Sequence, residues 1–157
     1  GYTFSTDDLA TYYEKVKELS DKKKFISDSD LEAIVQNKKL SSGLYRLDFF
    51  EVHTTKDTSS CVIKLRKEDT VYEEVSLGDG PINAAYNAID KITGHICEEM
   101  SNYSIHSVSD RNDALGEVTV KLKAKEHMVT GRGLSTNIIE SSILAYINGI
   151  NKLIEVL

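Results

Sequence analysis

The chain has 157 residues, 40% of them apolar, enough for one domain with an ordinary buried core. Its net charge of −6, with Lys22-Lys23-Lys24 as the main basic cluster, argues against a general nucleic-acid binder, which draws affinity from clustered Lys and Arg. No apolar run approaches the roughly 20 residues of a bilayer-spanning helix, no leader peptide is visible, and Cys61 and Cys97 make no disulfide framework, so neither a membrane nor a nucleic acid is an expected partner and a reducing, cytoplasmic setting is expected.

Ser5 stands where it can cap a helix whose apolar positions Leu9, Tyr12, Tyr13, Val16 and Leu19 recur at helical spacing, and the polar stretch from Ser20 to Lys24 ends it. The lysines of that stretch read as a solvated loop. Ser27 with Asp30 predicts a second start, followed by the short stripe Leu31, Ile34 and Val35. Two short amphipathic helices joined by a charged turn bury too little to stand alone, so residues 1–40 read as a helical linker subdomain that packs on something else.

From Leu44 the period changes. Tyr45 to His53 reads as a strand, bulged where Phe49 adjoins Phe50. Cys61, Ile63 and Leu65 alternate with Val62, Lys64 and Arg66; Val71, Glu73, Val75 and Leu77 alternate with Tyr72, Glu74 and Ser76. A glycine turn leads into a helix with the stripe Ile82, Ala85, Tyr86, Ile89 and Ile92. The same order then returns: Tyr103 to Val108, the alternating run Val118, Val120, Leu122 and Ala124, the short strand His127 to Thr130, the turn Gly131-Arg132-Gly133, and a last helix bearing Ile139, Ile143, Tyr146, Ile147, Ile150 and Ile154, with Asn137 and Glu140 as a cap pair. At an offset of 57 residues Lys64 meets Lys121, Leu65 meets Leu122, Leu77 meets Leu134 and Ala88 meets Ala145. The expected fold is α+β: two βββα units packed as a two-layer sandwich, (βββα)₂, preceded by two short helices. The units span 44–95 and 100–157 within a domain covering 44–157, and the symmetric build invites a homodimer.

Catalytic chemistry finds no footing. His53, His95, His106 and His127 are scattered without H-x-H, HExxH or C-x-x-C partners, so no metal site and no catalytic set is expected. Gly78-x-Gly80 lacks the third glycine of a dinucleotide fingerprint, and no phosphate-loop lysine follows. What the turn does offer is a helix start. Pro81 suits the first helical position, where its missing N–H has no intrahelical partner. Gly78 and Gly80 let another molecule approach the main chain, and the free N–H groups of the first turn favour an anion such as a carboxylate.

Three stretches carry a resemblance: Gly78-Asp79-Gly80-Pro81-Ile82-Asn83-Ala84-Ala85, Asn112-Asp113-Ala114-Leu115-Gly116-Glu117-Val118 and Gly131-Arg132-Gly133-Leu134-Ser135-Thr136-Asn137-Ile138-Ile139-Glu140-Ser141-Ser142. In order and spacing they resemble the C-terminal regulatory domain of 2-isopropylmalate synthases, over roughly Leu44 to Leu157, with the preceding helices resembling that family's linker. The resemblance implies a dimerisation domain that binds L-leucine and feedback-inhibits its parent enzyme. That enzyme condenses acetyl-CoA with 2-oxoisovalerate on a catalytic TIM barrel holding a divalent metal; none of the barrel is present here, so no cofactor and no turnover is expected of this chain. It also implies effector contacts at Gly78, Asp79, Gly80, Pro81, Ile82, Ala84 and Tyr103, and at Asp113, Ala114, Gly131, Gly133 and Ser135. The related citramalate synthases carry a similar domain that senses isoleucine, and the Asp-Ala-Leu-Gly and Gly-Arg-Gly-Leu-Ser-Thr wording leans towards the isopropylmalate type. A dimerisation module without effector binding is the alternative from another class.

Overall fold

The computed structural model describes residues 3–38, 43–108 and 114–157. Helix α1 (Thr6–Lys22) starts as the sequence predicts: the Ser5 hydroxyl accepts the Asp8 N–H at 3.2 Å and the Asp8 carboxylate accepts the Ser5 N–H at 3.3 Å, a reciprocal capping box. Helix α2 (Asp28–Lys38) repeats the device, with the Asp30 carboxylate accepting the Ser27 N–H at 2.9 Å. Between the helices Lys22 and Lys24 are exposed as the sequence predicts, but Lys23 is buried. Lys23 turns the chain out of α1 in extended backbone, and this carries its side chain inward: Nζ lies 2.7 Å from Asp30 Oδ2, with both side chains almost wholly covered. Asp30 is aimed there by its place in the second cap.

The remainder is two successive βββα units. The first comprises β1 (Tyr45–Thr54), β2 (Ser59–Lys67), β3 (Thr70–Gly78) and α3 (Pro81–Thr93); the second β4 (Glu99–Ser107), β5 (Gly116–Ala124), β6 (His127–Ser135) and α4 (Ile138–Val156). Each forms its own antiparallel sheet, in the orders β1-β2-β3 and β4-β5-β6. The backbone repeats far more faithfully than the side chains do. Every pairing between β2 and β3, from Ser59 with Gly78 to Lys67 with Thr70, recurs 57 residues on, from Gly116 with Ser135 to Ala124 with His127. Both hairpins turn through a non-glycine residue at positive φ, Glu68 at 53° and Lys125 at 52°. The first strands are bulged at the same place, between Leu47 and Phe49 and between Met100 and Asn102. The extra residue in β1 is therefore Asp48, one position before the predicted bulge at Phe49–Phe50.

The fold corrects the sequence reading at Gly131-Arg132-Gly133. These residues do not turn the chain; they are the middle of β6, which runs unbroken to Ser135. Residues facing a sheet-packed helix set how closely the two can approach, and here they are bare. A Cβ on Gly133 would lie 2.0 Å from the Ser141 carbonyl oxygen, and one on Gly131 would lie 2.1 Å from that of Ala145. Helix α4 thus rests backbone against backbone on β6. The counterpart of the Gly78–Pro81 turn, at the 57-residue offset, is accordingly Ser135-Thr136-Asn137-Ile138.

One core joins the units. Cys61, Ile63 and Leu65 of β2 and Ala85 and Ile89 of α3 pack in the same cluster as Val118, Val120 and Leu122 of β5 and Ile143, Ile147 and Ile150 of α4. The helices meet through stacked Tyr86 and Tyr146 rings, 4.1 Å between centroids, and Tyr146 donates its hydroxyl to Asp90 at 2.8 Å. Helix α4 also closes the edge of β1: the Asn151 amide accepts the Tyr45 N–H and donates to the Tyr45 carbonyl, both at 2.8 Å, replacing a missing strand. The two N-terminal helices dock on the second unit through a smaller cluster of Leu19, Ile34 and Leu115, against which Leu134 and Val108 pack.

Candidate functional site

The Gly78–Ala84 turn is built as a cradle with one tight wall and one open wall. A Cβ on Gly78 would fall 2.4 Å from the Ala84 nitrogen and 2.6 Å from Asn83 Oδ1, so glycine is required for β3 to pass beneath α3. Asn83 Oδ1 accepts the Asp79 N–H at 3.3 Å and an Asn87 amide proton at 3.3 Å, while Asn87 also donates to the Leu77 carbonyl at 3.0 Å. Those bonds lock the strand-to-helix connection. Gly80 is different: it is the N-cap of α3, in extended backbone, and nothing stands within 4 Å of where its Cβ would be. No side chain caps this helix. With Pro81 at the first position and the Ala84 N–H already given to the Gly80 carbonyl at 2.9 Å, the Ile82 and Asn83 N–H groups are the donors left to that space. Asp79 is exposed beside it, Pro81 and Ile82 are half-buried, and Ala84 is fully buried beneath.

Tyr103 reaches α4 from β4. Its hydroxyl is 2.7 Å from Ser142 Oγ, and the Tyr86 hydroxyl, one helical turn beyond Ile82, donates to the Ser142 carbonyl at 3.1 Å. Since Ser142 gives its own proton to the Ile138 carbonyl at 2.7 Å, Tyr103 is the donor to Ser142. Burial raises the Tyr86 phenol well above the ordinary tyrosine range, with Tyr103 nearby adding to the effect, so the Tyr86 hydroxyl acts as a neutral donor.

Of the remaining predicted contacts, Ser135 lies at the second strand-to-helix turn and Ala114 beside it. Ser135 accepts the Asn137 N–H at 3.0 Å and hydrogen-bonds the Glu140 carboxylate; Asn137 Oδ1 in turn accepts the N–H groups of Ile139 at 2.9 Å and Glu140 at 3.4 Å. Here the chain caps its own helix, as the Asn137 spacing predicts, although Glu140 reaches Ser135 and not the cap backbone. Ala114 enters beside this turn through Leu115 and the paired Gly116 and Ser135. Asp113 lies outside the described residues. Gly131 and Gly133 sit beneath α4, with its backbone filling the space above them. A cavity of about 210 Å³ opens between this turn and helices α1 and α2, lined by Leu19, Ile34, Leu115, Leu134, Lys22 and Glu140.

The sequence did not single out Tyr86 or Ser142 as site neighbours. A serine pair, Ser141-Ser142, inside an otherwise apolar helix is the one signal that could have done so. Neither thiol is an activated nucleophile: burial pushes Cys61 up to about 11 and raises Cys97 as well. Among the described residues no three His, Cys, Asp or Glu side chains gather as a metal cluster, and no helix is long and apolar enough to cross a membrane.

Residues 25–154 match the family model of the LeuA allosteric (dimerisation) domain. The chain belongs to that family. Among curated relatives, the 2-isopropylmalate synthase of Carboxydothermus hydrogenoformans is 43% identical over 98% of this chain and 31% of its own length. The 2-isopropylmalate synthase of Ruminiclostridium cellulolyticum is 39% identical over 97% of this chain and 30% of its own length. The allosteric domain therefore spans about a third of the relatives it matches. The family match begins ahead of α2, so that helix falls within it.

Proposed function

We propose that this allosteric domain binds L-leucine at the Gly78–Ala84 turn, dimerises, and mediates feedback inhibition of a parent 2-isopropylmalate synthase. The observation that carries the reading is the start of α3: an uncapped helix N-terminus opening on free space at Gly80, in a unit whose partner helix is capped by Asn137. The Ile82 and Asn83 N–H groups suit the ligand carboxylate, Asp79 suits its ammonium, and half-buried Ile82 with Tyr103 suits its branched side chain. Ser135 and Ala114 are assigned to the second strand-to-helix turn and its approach, while Gly131 and Gly133 stay within β6 beneath α4. Residues 1–40 are assigned as the linker and 44–157 as the effector domain. Condensation of acetyl-CoA with 2-oxoisovalerate, and the divalent metal it uses, belong to a catalytic barrel outside this chain. That the matched relatives are 2-isopropylmalate synthases favours leucine over isoleucine.

A homodimer is supported by the outer face of the first sheet. Phe49, Val75 and Leu77 stand 44%, 52% and 67% exposed there, whereas their counterparts on the second sheet are Asn102, Arg132 and Leu134, the last covered by the linker helices.

Calorimetry with leucine, isoleucine and valine tests the effector reading. Leucine should bind best, and Gly80→Leu should weaken it at least tenfold, about 1.4 kcal/mol, with little change in the melting temperature of the free chain. No heat with any of the three amino acids refutes effector binding and leaves the dimerisation module.

A further inference from the structure

We propose that the cavity between α1, α2 and the second strand-to-helix turn is a second binding site, for an aliphatic α-amino acid, separate from the Gly80 turn. Protein interiors pack with few voids larger than a water molecule, and unfilled apolar space forfeits contacts along every side that faces it. Here about 210 Å³ is left open, lined by Leu19, Ile34 and Leu115, the aliphatic residues that hold α1 and α2 to the second unit. That volume lies below the about 300–1,000 Å³ of drug-sized sites and suits a molecule of amino-acid size. Leu134 and Leu144 complete the apolar lining, with no aromatic ring among the described lining residues, so the wall suits an alkyl side chain.

The charges fix the class of ligand. Glu18 and Lys22 line the cavity from α1, and Glu140 lines it from α4. Glu18 and Lys22 stand at the i, i+4 spacing at which a helix pairs its own charges, yet among the described residues neither has an ion-pair partner. One helical turn, about 5–6 Å between Cβ atoms, is a gap that a carboxylate and an ammonium on a single carbon can bridge, the carboxylate to Lys22 and the ammonium to Glu18. Glu140 offers a second carboxylate, held in place by the hydroxyl of Ser135, which is only 7% exposed. An aliphatic acid without an ammonium would bring a negative charge to two carboxylates and answer neither. At the 57-residue offset Leu134 matches Leu77, which stands 67% exposed, so the second unit has an enclosed site only because α1 and α2 lie over it. Glu18 and Lys22 are exposed and screened by water, which makes this the weaker of the two sites.

The test is calorimetry of the whole chain with leucine, joined to NMR of the Ile34 methyl groups, with 4-methylpentanoate (leucine without its ammonium) as the control. Gly80→Leu should remove the tighter phase and leave a weaker one, of one equivalent per chain, that still shifts the Ile34 methyls. Lys22→Gln and Glu18→Gln, both at exposed positions that folding tolerates, should each weaken that phase by about three- to fivefold, the scale of one exposed charge contact. The control should bind it at least tenfold more weakly than leucine. Loss of all binding in Gly80→Leu with the Ile34 methyls unmoved, or a control that binds as well as leucine, overturns this proposal and leaves the effector reading standing. Undiminished binding in Gly80→Leu with weakened binding in Lys22→Gln supports the cavity and refutes the effector reading. Absence of leucine binding in the wild type refutes both.

Discussion

Replacing Gly133 with alanine should destabilise the fold by about 3 kcal/mol, the upper part of the range for overfilling a packed interior. The added Cβ would stand 2.0 Å from the Ser141 carbonyl oxygen, 2.5 Å from the Ala145 nitrogen and 2.9 Å from Leu144 Cβ, where ordinary contact begins at 3.4 Å. Two of those atoms are helix backbone. They cannot rotate away as a side-chain tip can, so α4 must retreat from β6 by more than an ångström. Retreat is costly because α4 touches both sheets: it is buried around most of its girth, carries Asn151 to the β1 edge, and stacks Tyr146 on Tyr86. The methyl's own burial, worth roughly 0.8 kcal/mol, cannot offset loss of that packing. At about 2–4 °C per kcal/mol for a chain of this size, the melting temperature should fall by about 6–12 °C, and the urea midpoint should fall with it. A variant within 0.5 kcal/mol of wild type would refute the close-packing account and return the glycines to a turn or ligand role.

Three further outcomes follow from the same geometry. Asn151→Ala strips the Tyr45 N–H and carbonyl of both partners and should cost about 2–3 kcal/mol in denaturant unfolding, since buried backbone groups left unpaired carry their full desolvation cost; an effect below 0.5 kcal/mol would mean that water replaces the amide. At Asp30 burial pushes the carboxyl up, but the Lys23 and Ser27 bonds outweigh it and hold the pKa below 3.8. That contribution to stability is complete above 3.8 and is lost as pH falls through the folded value, so Asp30→Ala should lower stability at pH 7 by about 3 kcal/mol and flatten the acid limb of the linker's unfolding, followed by its tryptic cleavage. Asp90 behaves oppositely, because burial raises its pKa more than the Tyr146 hydroxyl and His95 lower it. Stability then declines as pH rises from 3.8 towards the folded value, and Asp90→Asn, which can still accept from Tyr146, should remove that decline; an unchanged pH profile would show that Asp90 stays well hydrated.

Most of the architecture was legible because period and punctuation agree. Cys61, Ile63 and Leu65 alternate over a single buried face, Pro81 follows its glycines at a helix start, and Ser5 and Asn137 cap the helices they precede. Two readings failed for one shared reason, that polar or small residues take their meaning from what stands across from them. Gly131-Arg132-Gly133 reads as a turn by composition, yet the arrival of α4 makes the two glycines a strand surface. Lys23 reads as solvated, yet Asp30, seven residues on, folds back to meet it. The link from Tyr103 to Ser142 spans 39 residues and two elements, and no local pattern encodes it.

The internal repeat finally explains why one turn and not the other is the candidate for a ligand carboxylate held at a helix start. Both units bring an edge strand to the same register point, Gly78 opposite Ser59 and Ser135 opposite Gly116. From there the chemistry parts. In the second unit Ser135, Asn137 and Glu140 satisfy the helix start from within, and the linker helices lie against Leu134 just before it. In the first unit the equivalent cap is Gly80, which has no side chain to give, and Leu77 before it is 67% exposed. A glycine at the N-cap is less stabilising than an asparagine there by a few tenths of a kcal/mol. Grafting the second unit's cap onto the first, as Gly80→Asn, should therefore stabilise the free chain by a few tenths of a kcal/mol while occupying the donors on which the proposed carboxylate depends. Higher thermal stability with weakened leucine binding is the expected pair of results. Higher stability with leucine binding unchanged would show that the helix start is not where the carboxylate sits.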